Sequence, residues 1–185
     1  MKRENLFRLV KLALLAALSI VLVMLVRFPI IPAAPYLEYD MADVPILVAA
    51  LLYGPWSGIL LTFVVSVLQG ITVSAASGWV GIAMHFFATS AFVLAAGCIY
   101  RIRKTFPFAI GGLCAGVLLM TTIMIPLNLI FTVYFNGVPA DVVKGMIWPV
   151  IVPFNLIKAG ANATLTVLLF KPIGFLFKKA DTILY

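Results

Sequence analysis

Residues 148–170 form an apolar run long enough to cross a bilayer as a helix, yet its interior carries Pro153, Asn155, Lys158 and Asn162. At about 1.5 Å of rise per residue, Lys158 lies roughly 15 Å beyond Trp148, close to the middle of such a crossing. An ionisable group at that depth faces protein or a polar cavity instead of lipid, and so marks a functional site by default. The pattern nearly recurs earlier, where Pro126-Leu127-Asn128-Leu129-Ile130 repeats the Pro-x-Asn-Leu-Ile of Pro153-Phe154-Asn155-Leu156-Ile157. Each proline frees a backbone carbonyl one turn back, and each asparagine two residues later brings both a donor and an acceptor. The repeat predicts a polar pocket between two membrane helices.

With 64% hydrophobic and only 10% charged residues over 185 positions, the chain lies outside the soluble globular range and reads as an integral membrane protein. The first apolar run follows Lys2, Arg3, Arg8 and Lys11 as a signal peptide would. Arg27-Phe28-Pro29 then stands where a small-residue cleavage site would be, which predicts a retained helix over 6–26. Helices are further expected over 44–53, 56–73, 79–100 and 108–135, with 148–170 as the sixth. The segment 44–53 is short for a crossing without tilt or bilayer thinning. Cys98 and Cys114 lack metal spacing and read as small apolar residues.

The net charge of +7 sits at helix ends, which makes it a topology signal and not a nucleic-acid footprint. With six crossings and a cytoplasmic N-terminus, Lys2, Arg3, Arg8, Lys11, Arg101, Arg103, Lys104, Lys171, Lys178 and Lys179 fall inside. Only Arg27 and Lys144 fall outside. Reading 44–73 as one crossing would export Arg101, Arg103 and Lys104. The expected architecture is therefore an all-α membrane protein of six transmembrane helices. It is a single domain over 1–185 with both termini cytoplasmic and a long proline-containing external loop between helices 1 and 2.

In that loop Pro29, Pro32 and Pro35 recur every third residue, which favours a stiff, extended path able to cover a pocket. Glu38, Asp40 and Asp43 follow. Three carboxylates at short spacing suit a hard cation, but Asp43 before Val44-Pro45 also suits a helix N-cap, and the expectation is no metal site. His85, the only histidine, has no carboxylate nearby in sequence and reads as a hydrogen-bonded interior group.

An asparagine can hydrogen-bond an amide or imide edge with donor and acceptor together, and a lysine can bind a carbonyl. Tyr39 and Phe154 could stack on a planar ring. This equipment suits a neutral heteroaromatic compound, although Asn128, Asn155 and Asn162 could instead join helices, with Lys158 on a buried carbonyl. Hydrolysis would need a convergent nucleophile and base, whereas the chain has only six acidic residues. No glycine-rich phosphate cradle precedes a lysine and serine or threonine, so P-loop ATP hydrolysis is excluded.

Phe28-Pro29, Pro35-Tyr36-Leu37-Glu38-Tyr39-Asp40, Asp43-Val44-Pro45 and Leu52-Tyr53-Gly54-Pro55, with Asn128-Leu129-Ile130 and Pro153-Phe154-Asn155-Leu156-Ile157-Lys158, resemble the riboflavin-specific S component of energy-coupling factor (ECF) transporters. The resemblance covers essentially the whole chain. It implies a riboflavin-binding subunit, not an enzyme and with no cofactor, in a prokaryotic plasma membrane. Such a subunit captures the vitamin outside and works with a transmembrane coupling protein and two ATPases. It further implies that Asn128, Asn155, Lys158, Leu37, Tyr39, Asp40 and Phe154 bind the ligand, and that Ala13 and Ala17 dock on the coupling protein. The rivals are an S component for thiamine or biotin and a proton-coupled carrier.

Overall fold

The computed structural model describes the backbone of residues 3–32 and 34–184 and the side chains of residues 5–32 and 34–180. Its helices are α1 (Arg3–Leu25), α2 (Asp43–Tyr53), α3 (Pro55–Ile71), α4 (Gly78–Arg103), α5 (Phe106–Leu127), α6 (Ala140–Met146) and α7 (Val152–Leu184). α5 runs on into a π-helical stretch, Asn128–Phe135, and a second π turn, Ile147–Ile151, joins α6 to α7. These make six helical segments, as the apolar runs predict. Four are long and apolar enough to cross a membrane by length and composition, whereas α2 and α3 are shorter.

α2 is the centre of the packing. Every residue from Asp43 to Leu51 is buried, and a helix apolar on all sides has to be wrapped by protein. α1, α3, α4 and α7 supply that wrapping. Gly54 ends α2 at φ +97°, a conformation that costs glycine little and other residues much. Its N–H closes on Ala50 O at 2.9 Å, and Pro55 opens α3. The turn is pinned by Arg8, whose guanidinium donates to Tyr53 O at 3.2 Å and Ser57 Oγ at 2.5 Å.

The largest helix contact, α4 on α5, depends on glycines. A Cβ on Gly112 would lie 2.7 Å from the backbone oxygen of Ala96, and one on Gly116 would lie 2.2 Å from the Phe92 ring. Gly111, one position away, has nothing within 4 Å. Gly112→Ala is therefore expected to cost about 1–3 kcal/mol by prising the helices apart. Gly111→Ala should be neutral or gain up to roughly 1 kcal/mol of helix propensity. Thermal unfolding of the two purified variants checks this, and equal melting would refute the packing role of Gly112.

Two expectations are corrected by the loop. Its ends pair as a short antiparallel hairpin, β1 (Arg27–Pro29) with β2 (Glu38–Asp40), in the register Arg27 to Asp40, Phe28 to Tyr39 and Pro29 to Glu38. The segment thus folds back instead of following one extended proline path, within an otherwise all-helical fold. The Arg27 guanidinium, bonded to Glu38 and to Val73 O, ties this hairpin to the segment after α3. Asp43 does not cap α2 with its side chain. Asp40 Oδ1 takes the Ala42 N–H at 3.0 Å just before the helix, while the Asp43 carboxylate turns inward.

Candidate functional site

Asn155, Lys158 and Asn162 are spaced three and four apart on α7, which stacks them on one helix face. All three are buried. That face meets β2. Lys158 Nζ lies 2.6 Å from Asp40 Oδ2, so the lysine that has no partner in its own apolar run is neutralised by the loop 118 residues away in sequence. Asn162 Nδ2 donates to Asp40 O at 3.1 Å and to Asp43 Oδ2 at 3.4 Å, and its Oδ1 accepts the Tyr39 hydroxyl at 3.0 Å. Burial, then the negative charge of Asp40, raises the Tyr39 pKa, which keeps the phenol a donor.

The network continues through Asp43, which is fully buried. Its Oδ1 accepts Thr89 Oγ1 at 2.9 Å and lies 3.2 Å from His85 Nε2. His85 Nδ1 is in turn 2.7 Å from Ser66 Oγ. The histidine thus has a carboxylate partner that the sequence spacing hides, and it is hydrogen-bonded on both nitrogens. The three carboxylates expected as a cluster diverge, Glu38 to Arg27, Asp40 to Lys158 and Asp43 to His85.

Both Pro-x-Asn asparagines bond back onto their own helices. Asn128 Nδ2 donates to Met124 O at 2.8 Å and Asn155 Nδ2 to Ile151 O at 2.7 Å. Each adjoins a π-helical stretch, a deviation that recurs at functional sites. Asn128 Oδ1 accepts from Thr132 Oγ1 at 3.2 Å, whereas Asn155 Oδ1 has no protein partner among the described residues.

Two neighbouring cavities lie beneath the loop. A smaller one of about 170 Å³ is walled by Asp40, Phe154, Asn155 and Lys158, and also by Ser66, Gln69 and His85. A larger one of about 660 Å³ is walled by Asn128, Thr132 and Asn136 with Val80, Val143 and Met146. Tyr36, Leu37, Ser77, Gly81 and Met84 belong to both. Of the residues expected to bind ligand, Leu37 thus borders both spaces, Asn128 the larger, and Asp40, Phe154, Asn155 and Lys158 the smaller. Tyr39 borders neither: it is buried against Phe28, with ring centroids 5.3 Å apart, and against Asn162. Ser66, Gln69 and His85 were not anticipated from sequence. The signal for Gln69 was available, since a lone amide inside the apolar run 56–73 poses the same question as Asn155.

Ala13 and Ala17 are both exposed on α1, while Leu12, Leu15, Ala16, Ser19 and Val23 are buried against the body. The alanine pair lies on the outward face.

The fold and the site together define a binding protein, helical and with several segments able to cross a membrane, whose polar pocket is roofed by one loop. Residues 7–170 match the family model described as the substrate-specific component of ECF transporters. The chain is 30% identical over 151 residues to the riboflavin transporter RibU of Staphylococcus aureus, covering 78% of this chain and 79% of that protein. It is 31% identical over 131 residues to the riboflavin transporter FmnP of Bacillus subtilis, covering 66% and 69%. A solved structure of the S component of a bacterial ECF transporter superposes with a TM-score of 0.80 at 31% identity, over 95% of this chain and 99% of that one. The chain belongs to the substrate-specific components of ECF transporters, and is a transporter subunit and not an enzyme.

Proposed function

We propose that this chain is the riboflavin-binding subunit of an ECF-type vitamin uptake transporter. The observation that carries the reading is the pair of cavities under Tyr36 and Leu37, with Asn128, Asn155, Lys158 and Phe154 in their walls. A planar heteroaromatic ligand needs a largely apolar slot with a few polar groups at fixed positions, and these walls combine valine and methionine with four amides and a lysine. The kinship with proteins named riboflavin transporters supports the choice of vitamin over thiamine or biotin.

The chain acts as a single membrane domain over 1–185, crossing a prokaryotic plasma membrane six times with both termini cytoplasmic. Arg8, Arg101 and the other helix-end cations lie inside, and the hairpin outside. Riboflavin enters from the outer side beneath the loop. Lys158 and Asn162 fix the Asp40 end of the loop, so that Tyr36 and Leu37 close over the ligand. The chain has no nucleotide motif, and ATP hydrolysis is assigned to two partner ATPases that act through a transmembrane coupling protein. Ala13 and Ala17 on the outward face of α1 form the docking stripe for that protein.

Titration of the purified, ligand-depleted, detergent-solubilised chain tests the reading. Trp79 is the reporter of choice, since its ring packs on Phe131 and Phe135 at centroid distances of 6.0 and 4.8 Å and Val80 beside it borders the larger cavity. Riboflavin should quench its fluorescence saturably and thiamine should not. Asn128→Ala and Asn155→Ala should each weaken binding by about tenfold, the worth of one well-made hydrogen bond. A folded protein blind to riboflavin would overturn the assignment.

A further inference from the structure

Every carboxylate among the described side chains already has a basic partner: Glu38 has Arg27, Asp40 has Lys158, Asp43 has His85 and Asp141 has Lys144. Cations are left over at the turn between α4 and α5, the end of the molecule that the charge distribution assigns to the cytoplasm. Arg103 closes α4 and Lys104 follows it, while Lys171 reaches the same place from α7. All three are exposed, and none makes an ion pair or a hydrogen bond through its side chain to another described residue. Arg8 offers the contrast, since its guanidinium is spent on Tyr53 O and Ser57 Oγ. Two of the three cations are held in place by rings. Lys171 Nζ stands 4.0 Å from the centre of the Phe106 ring, which stacks on Phe170 at 6.2 Å, and the Arg103 guanidinium lies 5.4 Å from the centre of the Phe108 ring. Phe106 and Phe108 both belong to the first turn of α5, so the two cations flank that turn. A ring face holds a cation without neutralising its charge.

Deeper in the membrane, Phe106, Ile110, Cys114 and Leu118 recur at every fourth position of α5, all exposed, and so form one inclined row on its surface. The row runs roughly 18 Å at about 1.5 Å per residue, somewhat more than one leaflet of a hydrocarbon core about 30 Å thick. Beside it, Gly111 has nothing within 4 Å of the place a Cβ would take, which leaves the row open along one side. We propose that the start of α5 is a binding site for an anionic phospholipid, with Arg103, Lys104 and Lys171 on the phosphodiester and an acyl chain along the row from Phe106 to Leu118. The inference is independent of which vitamin the chain carries. A soluble anion would use the cations and ignore the row. A zwitterionic lipid would use the row but bring its own ammonium into the cluster. A lipid with net negative charge uses both.

Native mass spectrometry of the full-length, delipidated, detergent-solubilised protein tests this, with phosphatidylglycerol and phosphatidylcholine of the same acyl chains added to the micelles. One phosphatidylglycerol should be retained at a concentration about twentyfold below that needed for phosphatidylcholine. Arg103→Gln and Lys171→Gln should each lower this preference about fivefold, the worth of one cation at a charged membrane surface. The double variant should bring the two lipids within about twofold, and the single variants decide the matter if the double does not fold. Lys144→Gln removes the same charge from α6 and should leave the preference unchanged. An equal loss there would reduce the effect to net charge and overturn the site. Release of the bound phosphatidylglycerol by millimolar inorganic phosphate would mark a soluble-anion site and overturn the proposal too. Equal retention of both lipids by the wild-type protein would also overturn it, and would leave the cations to an acidic face of a partner protein.

Discussion

Asp40→Ala is expected to destabilise the protein by about 3–5 kcal/mol, because it leaves the Lys158 ammonium buried without a counter-charge. The Lys158 side chain is only 10% exposed, and among the described residues the one carboxylate in ion-pair contact with its ammonium is Asp40, at 2.6 Å. Asp43 cannot take over, since its oxygens already serve Thr89, His85 and Asn162. The same substitution removes the acceptor of the Ala42 N–H, and with it the local turn that feeds the chain from β2 into α2. Lys158→Met alone should be costly too, through the uncompensated carboxylate. The double variant Asp40→Asn/Lys158→Met should recover most of the lost stability, because replacing both members of a buried ion pair by groups of similar size is often close to neutral. It should not recover riboflavin affinity, since Asp40 and Lys158 both line the smaller cavity. Thermal unfolding of wild type, Asp40→Asn, Lys158→Met and the double variant gives the coupling energy as a double-mutant cycle. Additive losses would show that the pair is not the element that registers the loop on α7.

Much of this site is legible in the sequence because the membrane makes polar residues conspicuous. Lys158 in an apolar run needs a partner, and the Pro-x-Asn repeat puts two amides at corresponding places on two helices. The resulting expectation of a pocket beneath the first loop fits cavities bordered by Leu37, Asn128, Asn155 and Lys158. What sequence reading misses is pairing across distance. Asp43 and His85 are 42 residues apart and Asp40 and Lys158 118, so the first looks like a cap and the second like a lone cation facing the ligand. The hairpin is missed for a different reason: three pairs of residues with a proline in one strand give no period-two signal, and the pairing is held by Arg27 on Glu38 as much as by the ladder. The π-helical stretches also carry no pattern of their own. They become intelligible only once Asn128 and Asn155 are seen beside them, each bonding back to its own helix.

Replacing Ala13 and Ala17 together by phenylalanine is expected to abolish riboflavin uptake in cells that also make the coupling protein and ATPases, with riboflavin affinity of the purified chain within about twofold of wild type. The reasoning starts from the two faces of α1. Leu12, Leu15, Ala16, Ser19 and Val23 are buried against the body, whereas Ala13 and Ala17 point outward among Leu14, Leu18 and Val21. Bulk on the outward face therefore disturbs neither the core nor the cavities, which border on other elements. Lipid gives two helices no hydrophobic reason to associate, so close packing over small residues has to supply the contact energy, and a ring at either position holds the backbones apart. A loss of tenfold in uptake corresponds to about 1.4 kcal/mol of docking energy, and two rings in a close helix contact should exceed that several times over. Uptake of labelled riboflavin and copurification with the coupling protein should fall together. If uptake persisted with both rings in place, another face of the chain would carry the docking. If affinity fell with uptake, α1 would be acting on the pocket and the division of labour between its two faces would be wrong.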